Sequence, residues 1–100
     1  MPVPTVSVVM ACYNAAHTLP TAVDSILRQT MRDLEFIIVD DGSTDQTVAM
    51  LKRYAESDSR VRVYANPFNQ GPAGCLNQAI RTARARYIAC LLYTSDAADE

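Results

Sequence analysis

Two short stretches, Val6–Ala11 and Phe36–Val39, are almost uninterruptedly apolar and rich in β-branched residues. A strand with that pattern leaves no face for water, so it belongs in a parallel sheet covered on both sides. After each stretch the period changes to a helical one. Leu19, Val23, Ile26 and Leu27 fall at helix spacing, behind Thr18 as a candidate N-cap and Pro20 in the first turn. Leu34–Asp40 frames the second strand, and Asp41–Gln46 turns the chain. Within that turn Ser43 and Gln46 read as a capping box for a helix with Val48, Leu51, Tyr54 and Ala55 on its apolar face. Val61, Val63 and Ala65 alternate with Arg60, Arg62 and Tyr64, which predicts a third strand nearer the sheet edge. Asn66–Gly74 reads as a loop. A third helix follows with Leu76, Ala79, Ile80 and Ala83 inward, and Tyr87–Ala89 opens a fourth strand.

The order β-α-β-α-β-α-β predicts an α/β fold: an open, mostly parallel sheet with right-handed crossovers. Ligands of such sheets bind at the carboxyl ends of the strands, near a switch in strand order. The segments to watch are therefore Ala11–Asn14, Asp40–Ser43 and Asn66–Gly71. A chain of 100 residues has room for one small domain, and 49% hydrophobic with 20% charged residues is ordinary for a soluble globular protein. No apolar run approaches the ~20 residues of a membrane span, and the N-terminus has no secretory pattern. Three cysteines without metal-like spacing imply free thiols and a cytoplasmic setting. A net charge of -2 gives no ground for nucleic acid or an anionic membrane as partner.

Few residues stand where chemistry could occur. Tyr13 and Asn14 follow the first strand, where an aromatic ring and backbone could line a flat heterocycle. Asp40 and Asp41 end the second; paired carboxylates there accept hydrogen bonds from a base N–H or ribose hydroxyls, or help hold a cation. The same pair also reads as a turn that favours the next helix N-terminus. Neither a dinucleotide-type nor a P-loop-type glycine loop occurs. His17 reads as a polar residue near a helix start, and Cys12 and Cys75 as small buried hydrophobes. A phosphoacceptor signalling domain also ends strands in acidic pairs. It needs a further Asp after the third strand, and this chain has Tyr64-Ala65-Asn66 there; its only lysine, Lys52, lies in a helix.

Taken in register, four segments resemble the family-2 glycosyltransferases of the GT-A fold: Val6–Asn14, Asp24–Thr30, Phe36–Asp45 and Asn69–Ile80. The resemblance covers Val6 to Ala89. It implies a truncated, Rossmann-like nucleotide-sugar-binding half of an inverting enzyme that moves a sugar from a nucleotide-diphosphate sugar, usually a uridine diphosphate sugar, to a hydroxyl acceptor. By the same resemblance, Tyr13 flanks the base beside the backbone of Ala11 and Cys12, Asp41 contacts the pyrimidine N–H, and Asp40 supports the loop or ribose. Ala11 stands where the family often has Thr, and Leu76 where it often has Arg. In the family the fourth strand runs on into an Asp-x-Asp motif that holds Mg²⁺ or Mn²⁺, and the general base lies later still. Neither is found here, so no catalytic residue or metal ligand is assigned, and the chain by itself is expected to be inactive. Cell-envelope polysaccharide synthesis is the implied setting, which leaves the inner membrane face open to the full-length protein. The alternatives are a non-catalytic nucleotide-binding module and a fragment without function.

The final residues, Cys90–Glu100, resemble one translated frame of the mosaic-end adaptor used in transposase-based sequencing libraries. The expected division is thus 1–89, a partial glycosyltransferase nucleotide-binding domain, and 90–100, a non-native tail. Without the tail's Asp96, Asp99 and Glu100, the chain carries nine basic and eight acidic residues. A sheet stopping at its fourth strand is expected to leave apolar surface bare and to dissolve poorly.

Overall fold

A computed structural model describes residues 3–29 and 32–91 and, as backbone, 94–95; Asp96, Asp99 and Glu100 lie outside the described residues. The elements are β1 (Val6–Tyr13), α1 (Leu19–Arg28), β2 (Leu34–Asp40), α2 (Thr47–Ser57), β3 (Val61–Ala65), α3 (Pro72–Thr82), β4 (Tyr87–Cys90) and β5 (Thr94–Ser95). All strand pairs are parallel, and the sheet order is β3-β2-β1-β4, with β5 also against β1. Among the described residues no helix is long and apolar enough to cross a membrane.

The topology follows from handedness. Stepping from β1 to β2 to β3 in one direction with right-handed crossovers places α1 and α2 on the same face. The return from β3 across to β4 reverses direction, so α3 must cover the other face. The two cores confirm this. Val8, Met10, Phe36 and Ile38 pack with Leu19, Val23 and Leu51 of α1 and α2. Their alternate neighbours Val9, Ala11, Ile37 and Val39 pack with Cys75 and Ala79 of α3. Every residue of β2 is buried, the apolar run Phe36–Val39 together with the flanking carboxylates of Glu35 and Asp40.

Several local expectations change. β1 runs two residues beyond Ala11, because Cys12 still pairs with Asp40 and Tyr13 pairs with Ser95. The Ser43–Gln46 capping box does not form. The helix starts at Thr47, and the nearer Asp45 carboxylate takes both the Thr47 N–H at 2.9 Å and its hydroxyl at 2.5 Å. Thr18 occupies the N-cap of α1 in a helical conformation without a side-chain capping bond. Residues 72–74 are helical rather than loop: Gly71 takes a φ of 91° and Pro72, which has no N–H to lose, opens α3. Ile80 points outward at 38% exposure, since the small pair Cys75 and Ala79, four apart, sets the face that lies on the sheet. β4 is exposed along its length, with Tyr87 at 64% and Ile88 at 41%, the bare apolar surface expected of the last long strand.

At the amino end of the sheet lies a charge absent from the sequence reading. Glu35 is 2% exposed. It accepts the Ser7 hydroxyl at 2.5 Å, the Arg84 N–H at 2.6 Å, Arg62 Nη1 at 2.7 Å and Arg84 Nε at 3.0 Å. Ser7, the polar residue within β1, in turn accepts the Ala85 N–H at 3.0 Å. One carboxylate therefore ties β1, β2, β3 and the α3–β4 turn. Burial by itself would raise its pKa. The Ser7 hydroxyl, the Arg84 amide and the two guanidinium groups outweigh burial and hold it at about 2. A depressed carboxylate contributes stability above its unfolded pKa and loses it as pH falls toward the folded one. Glu35→Ala, which takes the buried acceptor from the Ser7 hydroxyl and the Arg84 N–H while the partly exposed arginines can turn to water, should cost about 1–3 kcal/mol in urea unfolding at pH 7. Lowering the pH from 4.5 toward 2 should shrink the gap between the wild type and Glu35→Gln; a gap independent of pH would contradict this linkage.

Candidate functional site

The carboxyl ends of β1, β2 and β3 meet where β1 lies between β2 and β4, the point at which strand order reverses. Three loops converge there, joined by polar bonds rather than apolar packing. Asp40 and Asp41 are both fully buried. Because successive strand side chains alternate, they work on opposite faces of the sheet.

Asp40 serves the α1/α2 face. Its carboxylate accepts the Ser43 N–H at 2.9 Å, the Ser43 hydroxyl at 2.5 Å and the Cys12 thiol at 3.9 Å. Ser43 Oγ accepts the Asn14 N–H at 2.8 Å, and Asn14 Oδ1 accepts the Thr44 N–H at 2.8 Å. Asn14 closes this reciprocal clasp at a φ of 46°, a left-handed conformation that Asn tolerates better than most residues. Beneath it, Ala15 donates its N–H to the Thr47 hydroxyl at 2.9 Å, which joins the β1–α1 loop to the start of α2.

Asp41 serves the α3 face. Its N–H donates to the Cys12 carbonyl at 2.8 Å, continuing the β1–β2 ladder. Its two carboxylate oxygens accept the Gln70 N–H at 2.6 Å and the Gly71 N–H at 3.0 Å. The third loop is thus hung from the end of β2. Gly42 completes the join. At a φ of 82°, a Cβ there would lie 2.7 Å from the carbonyl carbon of Phe68 and 2.8 Å from the backbone nitrogen of Asn69.

Ala11 and Cys12 are buried in β1 between β2 and the last strands, and Tyr13, at its end, is half-buried. Cys12 and Cys75 are buried as expected, yet the Cys12 thiol donates to Asp40 and Cys75 Sγ accepts the Asn66 side-chain amide at 3.6 Å. Burial, then the Asp40 charge, pushes the Cys12 thiol up; burial, then Asp41, pushes Cys75 up to about 12. Neither thiol is a nucleophile near neutral pH. His17 is exposed.

The acidic pair does not make a metal site. Its carboxylates face opposite sides of the sheet, and among the described residues no group of three or more His, Cys, Asp or Glu could hold an ion. A cavity of about 340 Å³ lined by Met50, Arg53, Tyr54 and Ser57 belongs to α2, and one of about 350 Å³ lies between α1 and β4, lined in part by Val8, Ile26, Ala89 and Leu91. None of Ala11, Cys12, Tyr13, Asp40 and Asp41 lines either. The five lie at the carboxyl ends of β1 and β2, with Asp40 and Asp41 on opposite faces of the sheet. The sequence singles out Asn14 and Ser43 but carries no sign that they clasp each other, or that Asp41 gathers the Gln70 and Gly71 amides.

Residues 7–91 match the family described as Glycosyl transferase family 2. The chain is 38% identical over 86% of its length to the UDP-Glc:alpha-D-GlcNAc-diphosphoundecaprenol beta-1,3-glucosyltransferase WfgD of Escherichia coli, covering 33% of that protein. Among solved structures it is similar to the mannosyltransferase PcManGT from Pyrobaculum calidifontis in complex with GDP-Man and Mn²⁺. That match has a TM-score of 0.72 and 31% identity, and covers 83% of this chain and 25% of that one. Similarity to S. aureus TarS 1-349 in complex with UDP-GlcNAc has a TM-score of 0.79 and 26% identity, and covers 87% of this chain and 26% of that one. The chain spans about a third of the length of the first curated relatives it matches.

The two positive-φ glycines separate backbone strain from collision. Gly71→Ala meets nothing within 4 Å and should cost about 1–3 kcal/mol from its φ alone. Gly42→Ala carries the same strain and also collides with the third loop, so its urea midpoint should fall further. Equal losses would show that Gly42 does not hold the loops together.

Proposed function

The chain belongs to glycosyl transferase family 2, and we propose that it is the nucleotide-binding, amino-terminal part of an inverting glycosyltransferase that uses a uridine diphosphate sugar and a hydroxyl acceptor. The observation that carries this reading is the meeting of three polar loops at the strand-order switch, built around a buried pair of aspartates. Tyr13 flanks the uracil, with the backbone of Ala11 and Cys12 beside it. Asp41 accepts the base N–H from its place at the carboxyl end of β2, where its carboxylate gathers the Gln70 and Gly71 amides. Asp40 acts at one remove, by holding Ser43 and, through it, Asn14. The uridine choice is supported by WfgD, whose name specifies UDP-Glc, and by TarS, solved with UDP-GlcNAc. Guanosine diphosphate donors are the competitor, since PcManGT was solved with GDP-Man.

A divalent cation, Mg²⁺ or Mn²⁺, would neutralise charge developing on the departing diphosphate. The residues described here do not fit it, so we place its ligands and the general base beyond Ala89 in the full-length protein. On this reading the chain binds nucleotide weakly and transfers no sugar. We further propose that Cys90–Glu100 is adaptor-derived, although the family match runs two residues past that boundary.

A transposase-free sequencing read of the source DNA across codon 89, followed by donor assays on the full-length protein, tests the proposal. The frame should continue into Asp-x-Asp, uridine diphosphate sugars should be used at least ~10-fold better than guanosine diphosphate sugars, and the product should show inverted anomeric configuration. A native Cys90–Glu100 ending in a stop codon would overturn the enzyme reading. A preference for guanosine diphosphate sugars would overturn only the donor.

A further inference from the structure

All four residues of β4 are exposed, whereas β1 and β2 are buried along almost their whole length. Buried faces fix the β1–β2 register, because a slip would exchange them; β4 has no buried face to do the same. Its register on β1 is nonetheless definite, from Val6 with Tyr87 to Val9 with Cys90. Leu91 continues it by donating its N–H to the Val9 carbonyl at 2.8 Å. The order comes from the short turn before the strand, since α3 ends at Thr82 and β4 begins at Tyr87. Side chains from three strands hold that turn. Ser7 of β1 accepts the Ala85 N–H at 3.0 Å, Glu35 of β2 accepts the Arg84 N–H at 2.6 Å, and Arg62 of β3 donates to the Thr82 carbonyl at 3.3 Å. Ser7 and Glu35 are register partners, both buried, and the Ser7 hydroxyl donates to the Glu35 carboxylate at 2.5 Å.

We propose that Ser7 and Glu35 are positioning residues: by holding the Ala85 and Arg84 amides they set the register of β4 on β1. They thereby decide how the chain arrives at the strand-order switch, where it next pairs with β1 at Cys12 and Tyr13. The proposal rests on the nucleotide-site reading above, since the switch matters to the reaction only if the nucleotide lies there. A slip of one residue would carry the turn along β1 by about 3.3 Å. No hydrogen bond stretches that far, so both amides would lose their acceptors, and every side chain of β4 would turn to the other face. Both residues lie at the amino end of the sheet and touch no part of the nucleotide site. Their effect reaches it only through the placement of β4.

Hydrogen exchange in the full chain tests this clamp through a ratio of rates. The Leu91 amide reports on β4, and the Phe36 amide, which donates to the Arg60 carbonyl on the β3 side of β2, is the reference. Ser7→Ala should raise the ratio about 2- to 10-fold, the effect of one lost hydrogen bond. Glu35→Gln, which keeps an oxygen for the Ser7 hydroxyl and the Arg84 N–H, should leave it within about twofold. Gly71→Ala, a loss of stability outside the clamp, should also leave it within about twofold. In the full-length protein, Ser7→Ala should lower kcat for sugar transfer about 10-fold or more, with the donor KM within about twofold. A wild type that transfers no sugar would defeat the reading of function and leave the exchange ratio to decide the clamp. A ratio that Ser7→Ala leaves unchanged, or that Gly71→Ala raises equally, would overturn the clamp. A changed ratio with kcat intact would overturn the positioning role.

Discussion

The β1–β2 ladder is the constraint on which everything else depends. Seven consecutive parallel pairs, from Val6 with Leu34 to Cys12 with Asp40, leave both strands with two buried faces. Only then do adjacent side chains acquire opposite duties. Met10 and Phe36 hold α1 and α2, while Val9 and Ile37 hold α3. The alternation persists past the last apolar residue, so the adjoining Asp40 and Asp41 emerge on opposite faces and each organises a different loop. A shift of one residue in register would exchange those roles and set each helix layer against the wrong side chains.

The polar groups sit at the two ends of this apolar slab. At the amino end Glu35 is neutralised by two arginines and serves to join elements. At the carboxyl end Asp40 is held by the Ser43 amide and hydroxyl and the Cys12 thiol, and Asp41 by the Gln70 and Gly71 amides. At one end the carboxylate bonds lock strands to a turn; at the other they shape the loops that follow β1, β2 and β3. That contrast is the physical reason to place ligand binding at the carboxyl end.

Much of this could be read from the sequence because its signals are local. The unbroken apolar runs announced β1 and β2, and Leu34–Asp40 coincides with the observed strand. The alternation of Val61 and Val63 with arginines announced an edge strand, and β3 is one. What failed was chemistry decided by tertiary neighbours. Ser43 looks like a cap from its spacing to Gln46, but the nearby Asp40 carboxylate is a better partner, and Asp45 takes the capping task. Ile80 looks inward by helix period, yet the sheet selects the small Cys75 and Ala79. Glu35 carries no sign of its role because its partners lie 27 and 49 residues away. Cys75 reads as a hydrophobe because nothing local reveals that its sulfur accepts the Asn66 amide.

The proposed function comes down to one claim: the three loops at the carboxyl ends of β1, β2 and β3, rather than the cavities elsewhere, receive a nucleotide. Mapping backbone amide shifts of the full chain during a uridine diphosphate titration tests it most directly. The account predicts that the largest changes cluster at Ala11–Asn14, Asp40–Ser43 and Asn66–Gly71, with little change along α2. Changes centred on Met50, Arg53, Tyr54 and Ser57, or on the Glu35 network, would contradict it.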